Sequence, residues 1–209
     1  MEKKTERLIH LMKNAQNEYA EKYLIFPIPH ILSKKFVAYC AMKEDLELLL
    51  EYIALLRKEE SHILKSSLTY SLISLYGKCF TDGSQHSNSK LEPSHLFKED
   101  DTENQEVHTY LMNLRHQFIA HRGETDSEIG IAFMIIPKEG SIDDNQIRFT
   151  QLKQNSFSPE RLDLIEKTIN HIIESLKESI EKNGQKLYEN FLKIFTPEQI
   201  KLMLLNNAK

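Results

Sequence analysis

Two arginines and two histidines crowd into LRHQFIAHRGE, Leu114–Glu124, a run whose other members suit the buried side of a helix. These residue types do proton-transfer and phosphate chemistry. An imidazole gives or takes a proton near neutral pH, and a guanidinium grips anionic oxygens in pairs without ever losing its charge. On an α-helical wheel of roughly 100° per residue, Leu111, Met112, Phe118 and Ile119 fall within about 60° of Arg115. His108 and Arg122 share its direction, His121 lies at the edge of that face beside Leu114, and His116 turns away. A charge set into an apolar face must meet a carboxylate, a phosphate or a water-filled cleft. Asp45 and Glu60, each projecting toward the leucine face of an earlier helix, are the carboxylates on hand for a purely structural ion pair. A lone edge histidine such as His121 is likewise more often hydrogen-bonded than catalytic.

The elements that must position these groups are mostly helices. From Glu2 to about Lys22 apolar residues recur at helical spacing until FPIP, Phe26–Pro29, ends the pattern. Leu46, Leu49, Leu50, Ile53 and Leu56 form one face of a second helix over Asp45–Lys58 that can begin as early as Ser33. Ser61–Phe80 reads as a third, with Ile63, Leu64, Leu68, Leu72 and Leu75 inward and Gly77 loosening its end. Residues 81–102 have the Asp, Gly, Ser, Asn and Pro composition of a long surface loop with one helical turn near Leu96. The motif helix then runs from Glu103 to Arg122, and Gly123 stops it. EIGIAFMIIP and NQIRFTQL predict a β-hairpin over 128–152. Ser158 and Pro159 cap a helix reaching about Asn183, where Asn-Gly offers a break, with Phe157 and Leu162 as its hydrophobic staple. Thr196, Pro197 and Gln199 start another, so 158–209 are C-terminal helices. The expected fold is all-α, an antiparallel helical bundle with a small β-hairpin insertion, in one domain over 1–209.

Composition narrows the function. With 209 residues, 40% of them hydrophobic, the chain can bury a true core. Its formal net charge of −4 supplies no global field toward nucleic acid or an anionic membrane, so phosphate binding has to be local. Cys40 and Cys79 lie far apart in apolar settings and read as reduced core residues of a cytoplasmic protein. Neither a signal peptide nor a membrane-spanning run is visible. Gly-rich phosphate loops, HExxH, CxxC pairs and GxSxG elbows are missing, and His62, His86, His95 and His108 have no metal-ligand spacing.

LRHQFIAHR resembles the signature of the HEPN superfamily: an arginine, a polar residue, a short spacer and a histidine near the end of a helix in an all-α bundle. The matching positions are Arg115, His116 and His121, with five residues between Arg115 and His121. TYSLISLYGKCFTDG and HTYLMNLRHQFIAHR together are similar to the abortive-infection-like branch, in which a helix ending in a Tyr-Gly-x-x-Phe turn precedes the motif helix. The resemblance covers roughly Phe36 to Arg122. It implies a metal-independent endoribonuclease of toxin or antiphage-defence type that needs no cofactor. Two motif helices would meet in a homodimer to build one composite cleft. His121 would be the general acid or base, Arg115 would hold the phosphate, and His116 would orient or supplement them. The implied partners are RNA, a second copy of the chain, and an antitoxin or other defence-system protein. Gly123 stands where one group of these toxins carries a tyrosine. Noncatalytic nucleotide-binding or helical interaction modules also occur in the superfamily, and that alternative stays open.

Overall fold

Four of the seven helices among the described residues begin at a proline or immediately after one. Proline presets the backbone angle of a first turn, and its missing N–H would have had no partner there. The computed structural model describes residues 2–19, 21–23, 25–81, 90–119, 128–138 and 146–206. In chain order the elements are α1 (Glu2–Tyr19), α2 (His30–Leu56), α3 (His62–Phe80), α4 (Pro93–Leu96), α5 (Thr102–Asn113), a π-helical turn (Leu114–Ile119), β1 (Glu128–Ile135), β2 (Gln146–Lys153), α6 (Pro159–Ile194) and α7 (Pro197–Asn206). The fold is mostly helical with one antiparallel two-stranded ribbon, as the patterning predicts. No helix is long and apolar enough to cross a membrane among the described residues. The chain forms two compact units, Met1–Val37 with Ser179–Lys209, and Ala38–Glu178.

The first unit is held by aromatic rings. Phe26 packs 5.4 Å from Phe191 and 6.3 Å from Phe195, centroid to centroid, so the segment after α1 is anchored by an interaction that helical periodicity does not reveal. The break expected at Asn183-Gly184 is absent, because α6 runs through to Ile194. Gly184 instead serves close packing: a Cβ there would sit 3.2 Å from the Phe36 ring. Asn183 turns its amide back to the Ser179 carbonyl at 2.6 Å, satisfying itself within the helix. The start of α7 is the expected capping box, with Thr196 N–H donating to Gln199 Oε1 at 2.9 Å and Gln199 N–H to Thr196 Oγ1 at 3.2 Å.

The second unit carries the motif. Its core joins Leu46, Leu49 and Ile53 of α2, Leu72, Ile73 and Tyr76 of α3, Val107 and Leu111 of α5, and Ile165, Ile169, Ile172 and Leu176 of α6. The face expected for α3 is corrected at its first turn, since Ile63 and Leu64 are exposed while Thr69, Leu72, Ile73, Tyr76 and Gly77 are buried. This helix is apolar on several sides, so periodicity alone does not select the buried stripe. Ser61 caps it, accepting from Leu64 N–H at 3.5 Å. At the start of α6, Ser158 Oγ accepts from Arg161 N–H at 3.2 Å, and both staple residues, Phe157 and Leu162, are buried.

A buried polar link fixes α5 against α6. Thr168 donates its hydroxyl to Asn104 Oδ1 at 2.8 Å, and Asn104 Nδ2 donates to both carboxylate oxygens of Asp101, at 3.0 and 2.9 Å. Thr168→Val, a change of nearly constant shape, strands the Asn104 carbonyl without its donor. It is expected to lower unfolding free energy by about 1–3 kcal/mol. Thr168→Ser keeps the hydroxyl and should lose distinctly less. Urea denaturation of the three proteins checks this, and equal losses in the two variants would contradict it.

Candidate functional site

The motif helix does not stay α-helical. After Asn113 the backbone widens into the π-helical turn Leu114–Ile119, which contains Arg115 and His116. Such turns insert extra backbone into a helix and recur at functional sites. They also rotate side chains away from the directions an α-helical wheel assigns. Leu111 and Leu114 are buried, Arg115 is half-buried, and His116 is exposed. His121, Arg122 and Gly123 lie outside the described residues, as do the expected helix end at Gly123 and any geometry between His121 and Arg115.

Arg115 is seated on α3. A Cβ built on Gly77 would lie 2.2 Å from Arg115 Cδ, 2.8 Å from Nε and 2.9 Å from Cγ, so the arginine stem occupies the space that any larger residue needs. Gly77 is therefore not a loosened helix end. It is a buried seat, and the helix continues past it to Phe80. Its carbonyl accepts a hydrogen bond from Thr81 Oγ1 at 2.6 Å, which closes the last turn. The sequence carries the signal for this contact in Tyr-Gly-x-x-Phe, but only the structure assigns the glycine to the arginine.

The expected carboxylate partners do not serve Arg115. Asp45 instead accepts from Lys78 Nζ at 2.7 Å. Among the described residues no carboxylate lies within salt-bridge distance of the Arg115 guanidinium, Glu60 included. Among the described residues, its Nη1 lies 3.5 Å from His116 Nδ1, the outer limit of a hydrogen bond, which requires Nδ1 to be unprotonated. Arg115 and His116 are thus brought together at the surface. Nearby, a groove of about 520 Å³ follows α5 between Thr102 and Asn113, and neither motif residue lines it.

An aromatic box flanks the seat. Tyr76, next to Gly77, shares a hydrogen bond of 2.9 Å with His108 Nδ1. The imidazole also packs against Phe80 at 4.5 Å and Phe97 at 5.5 Å between centroids. Burial pushes the His108 pKa below its ordinary 6.5, and burial likewise raises that of the Tyr76 phenol. Two neutral, hydrogen-bonded groups therefore tie α5 to α3 one residue away from the arginine seat. Cys79, also here, is buried, and its thiol is pushed up to about 12 by burial first and then by Asp45, so it is an inert core group. Cys40 is also free, as expected.

Comparison with known proteins brought no match: no family model, no curated protein and no solved structure is similar enough to the chain to assign it.

Two measurements probe the seat. Gly77→Ala alone should be neutral to destabilising, because overpacking costs about 1–3 kcal/mol against a helix-propensity gain of roughly 1 kcal/mol. In an Arg115→Ala background the clash is gone, and the same change should stabilise. A double-mutant cycle by urea denaturation reads this coupling, and additive effects would contradict the packing. His108 tests the box. Its depressed folded pKa means that its contribution is complete above 6.5 and is lost as pH falls through the lowered folded value. The melting temperature should drop on acidification from neutral pH, less steeply in His108→Gln; identical slopes would rule this origin out.

Proposed function

We propose that this chain is a metal-independent endoribonuclease of toxin or antiphage-defence type, a member of the HEPN superfamily that works as a homodimer with a composite Arg/His site. The observation that carries the reading is Arg115. Its stem is seated on Gly77, and among the described residues its head has no carboxylate to neutralise it. A guanidinium held this way is preorganised for an anion, and its planar fork suits the paired oxygens of a phosphodiester.

In this reading the ribose 2′-oxygen attacks the adjacent phosphorus, the P–O5′ bond breaks, and the products are a 2′,3′-cyclic phosphate and a free 5′-hydroxyl. One imidazole takes the 2′-hydroxyl proton and another protonates the departing O5′. His121 from each of two copies would supply these roles, which is why a single chain is insufficient. Arg115 stabilises the charge that develops on the non-bridging oxygens. His116, in contact with Arg115, orients the guanidinium. An antitoxin or other defence-system protein would restrain the activity.

A second reading, a noncatalytic helical interaction or nucleotide-binding module, draws on the β-hairpin, whose apolar side chains Ile147, Phe149 and Leu152 are exposed. Cleavage of mixed-sequence RNA in EDTA separates the two. Wild type should cut and leave 2′,3′-cyclic phosphate ends. His121→Ala should lose about 10²–10⁴ in rate. Arg115→Lys, which keeps a stem for the Gly77 seat and the charge but not the fork, should lose activity while melting like wild type. If wild type cuts nothing, or His121→Ala cuts as well as wild type, the module reading replaces the nuclease.

A further inference from the structure

Two contacts between α3 and the motif helix are neighbours on one side and well separated on the other. One is the Gly77 seat of Arg115, and the second is the 2.9 Å hydrogen bond between Tyr76 Oη and His108 Nδ1. Tyr76 and Gly77 are consecutive on α3, whereas His108 precedes Arg115 by seven residues, about 10 Å along a helix axis. A single point of contact leaves a helix free to pivot. Two points at that spacing fix its rotation as well, and the direction taken by the Arg115 side chain depends on that rotation.

A hydrogen bond suits this task better than packing does. Leu72 and Ile73 on α3, with Val107 and Leu111 on α5, contribute apolar burial, which is non-directional and tolerates a slip of one surface over another. The bond between Tyr76 and His108 depends on distance and angle, so it selects one register. Tyr76 has no exposed surface, and Phe80 lies against both rings, 5.0 Å from Tyr76 and 4.5 Å from His108 between centroids. Burial keeps the phenol protonated and the imidazole neutral, so the hydroxyl donates, Nδ1 accepts, and the ring proton sits on Nε2. The pair carries no charge of its own. It competes neither for Arg115 nor for a phosphate.

We propose that Tyr76 and His108 are positioning residues for Arg115: their buried hydrogen bond sets the direction in which the guanidinium leaves the Gly77 seat, and with it the grip on a phosphate. The inference rests on the reading of Arg115 as an anion-binding group and adds what keeps that group in aim. Small errors of aim are costly, since a misplacement of about 1 Å in a positioned site can cost on the order of 10²-fold.

Titration of the full chain with inorganic phosphate and with a deoxydinucleoside monophosphate, followed through the Arg115 Nε–H resonance, tests it. Tyr76→Phe keeps the ring and removes the donor, His108→Leu removes the acceptor, and His108→Asn returns an acceptor oxygen close to the place of Nδ1. The first two should weaken phosphate binding by roughly fivefold to tenfold, while His108→Asn stays within about twofold of wild type. Thr168→Val, which loosens the separate link between α5 and α6, should bind like wild type. Without any ligand, the heteronuclear Overhauser effect at that Nε–H should fall in Tyr76→Phe as the stem gains motion on its seat. Tyr76→Phe or His108→Leu binding as tightly as wild type overturns the inference and leaves the anion site standing. A His108→Asn variant as weak as His108→Leu overturns it too, as does a Thr168→Val variant that loses as much as Tyr76→Phe, because the effect is then one of packing or stability. A wild type that ignores both phosphates sinks the anion reading; the positioning survives if Tyr76→Phe still lowers the Overhauser effect, and falls with it if that effect is unchanged.

Discussion

The contact between Gly77 and Arg115 constrains everything around it. The arginine stem lies where a Cβ on α3 would be, so any larger residue at that point has to displace it. The neighbours hold the approach in place. Tyr76 bonds to His108 on α5, Thr81 closes the turn onto the Gly77 carbonyl, and Asp45 is occupied by Lys78. A cation is thereby fixed at the edge of an apolar core, and among the described residues no carboxylate pairs with it. Fixing a long side chain costs rotamer entropy, and close packing of its stem offsets part of that cost.

Much of the fold is legible in the sequence because local chemistry dictates it. Ser61, Ser158 and Thr196 stand as caps where their hydroxyls can accept the first free N–H groups of α3, α6 and α7. Leu46, Leu49 and Ile53 recur at helical spacing and are fully buried. The antiparallel ribbon is found over nearly the expected span. Sequence fails where long-range packing decides. Asn183-Gly184 has turn chemistry, yet α6 continues through it, and Phe36 packs into the space beside Gly184. Ile63 and Leu64 fit an inward face by spacing alone, but the core takes the stripe through Thr69, Ile73 and Tyr76.

The site was half legible for the same reason. Arg115 and His116 stand out as polar groups in an apolar run, and the structure brings the two into contact. The π-helical turn beneath them has no residue signature, and it invalidates a wheel drawn at α-helical pitch. The seat on Gly77 and the box around His108 depend on residues some thirty to forty positions apart in sequence, a separation that periodicity cannot bridge. Local readings therefore identify the charged groups, and tertiary packing determines which of them is available to an anion.

That availability is the central claim, and the side chain of Arg115 reports on it directly. Its Nε–H resonance, assigned by its loss in Arg115→Lys, can be followed by nitrogen-edited NMR during titration with a dinucleoside monophosphate lacking the attacking 2′-hydroxyl. A guanidinium seated on Gly77 and open to phosphate predicts a saturable shift of this resonance, reproduced in part by inorganic phosphate. A resonance that stays in place through the titration would mean that the guanidinium is sealed within the fold, and the account would be wrong at its centre.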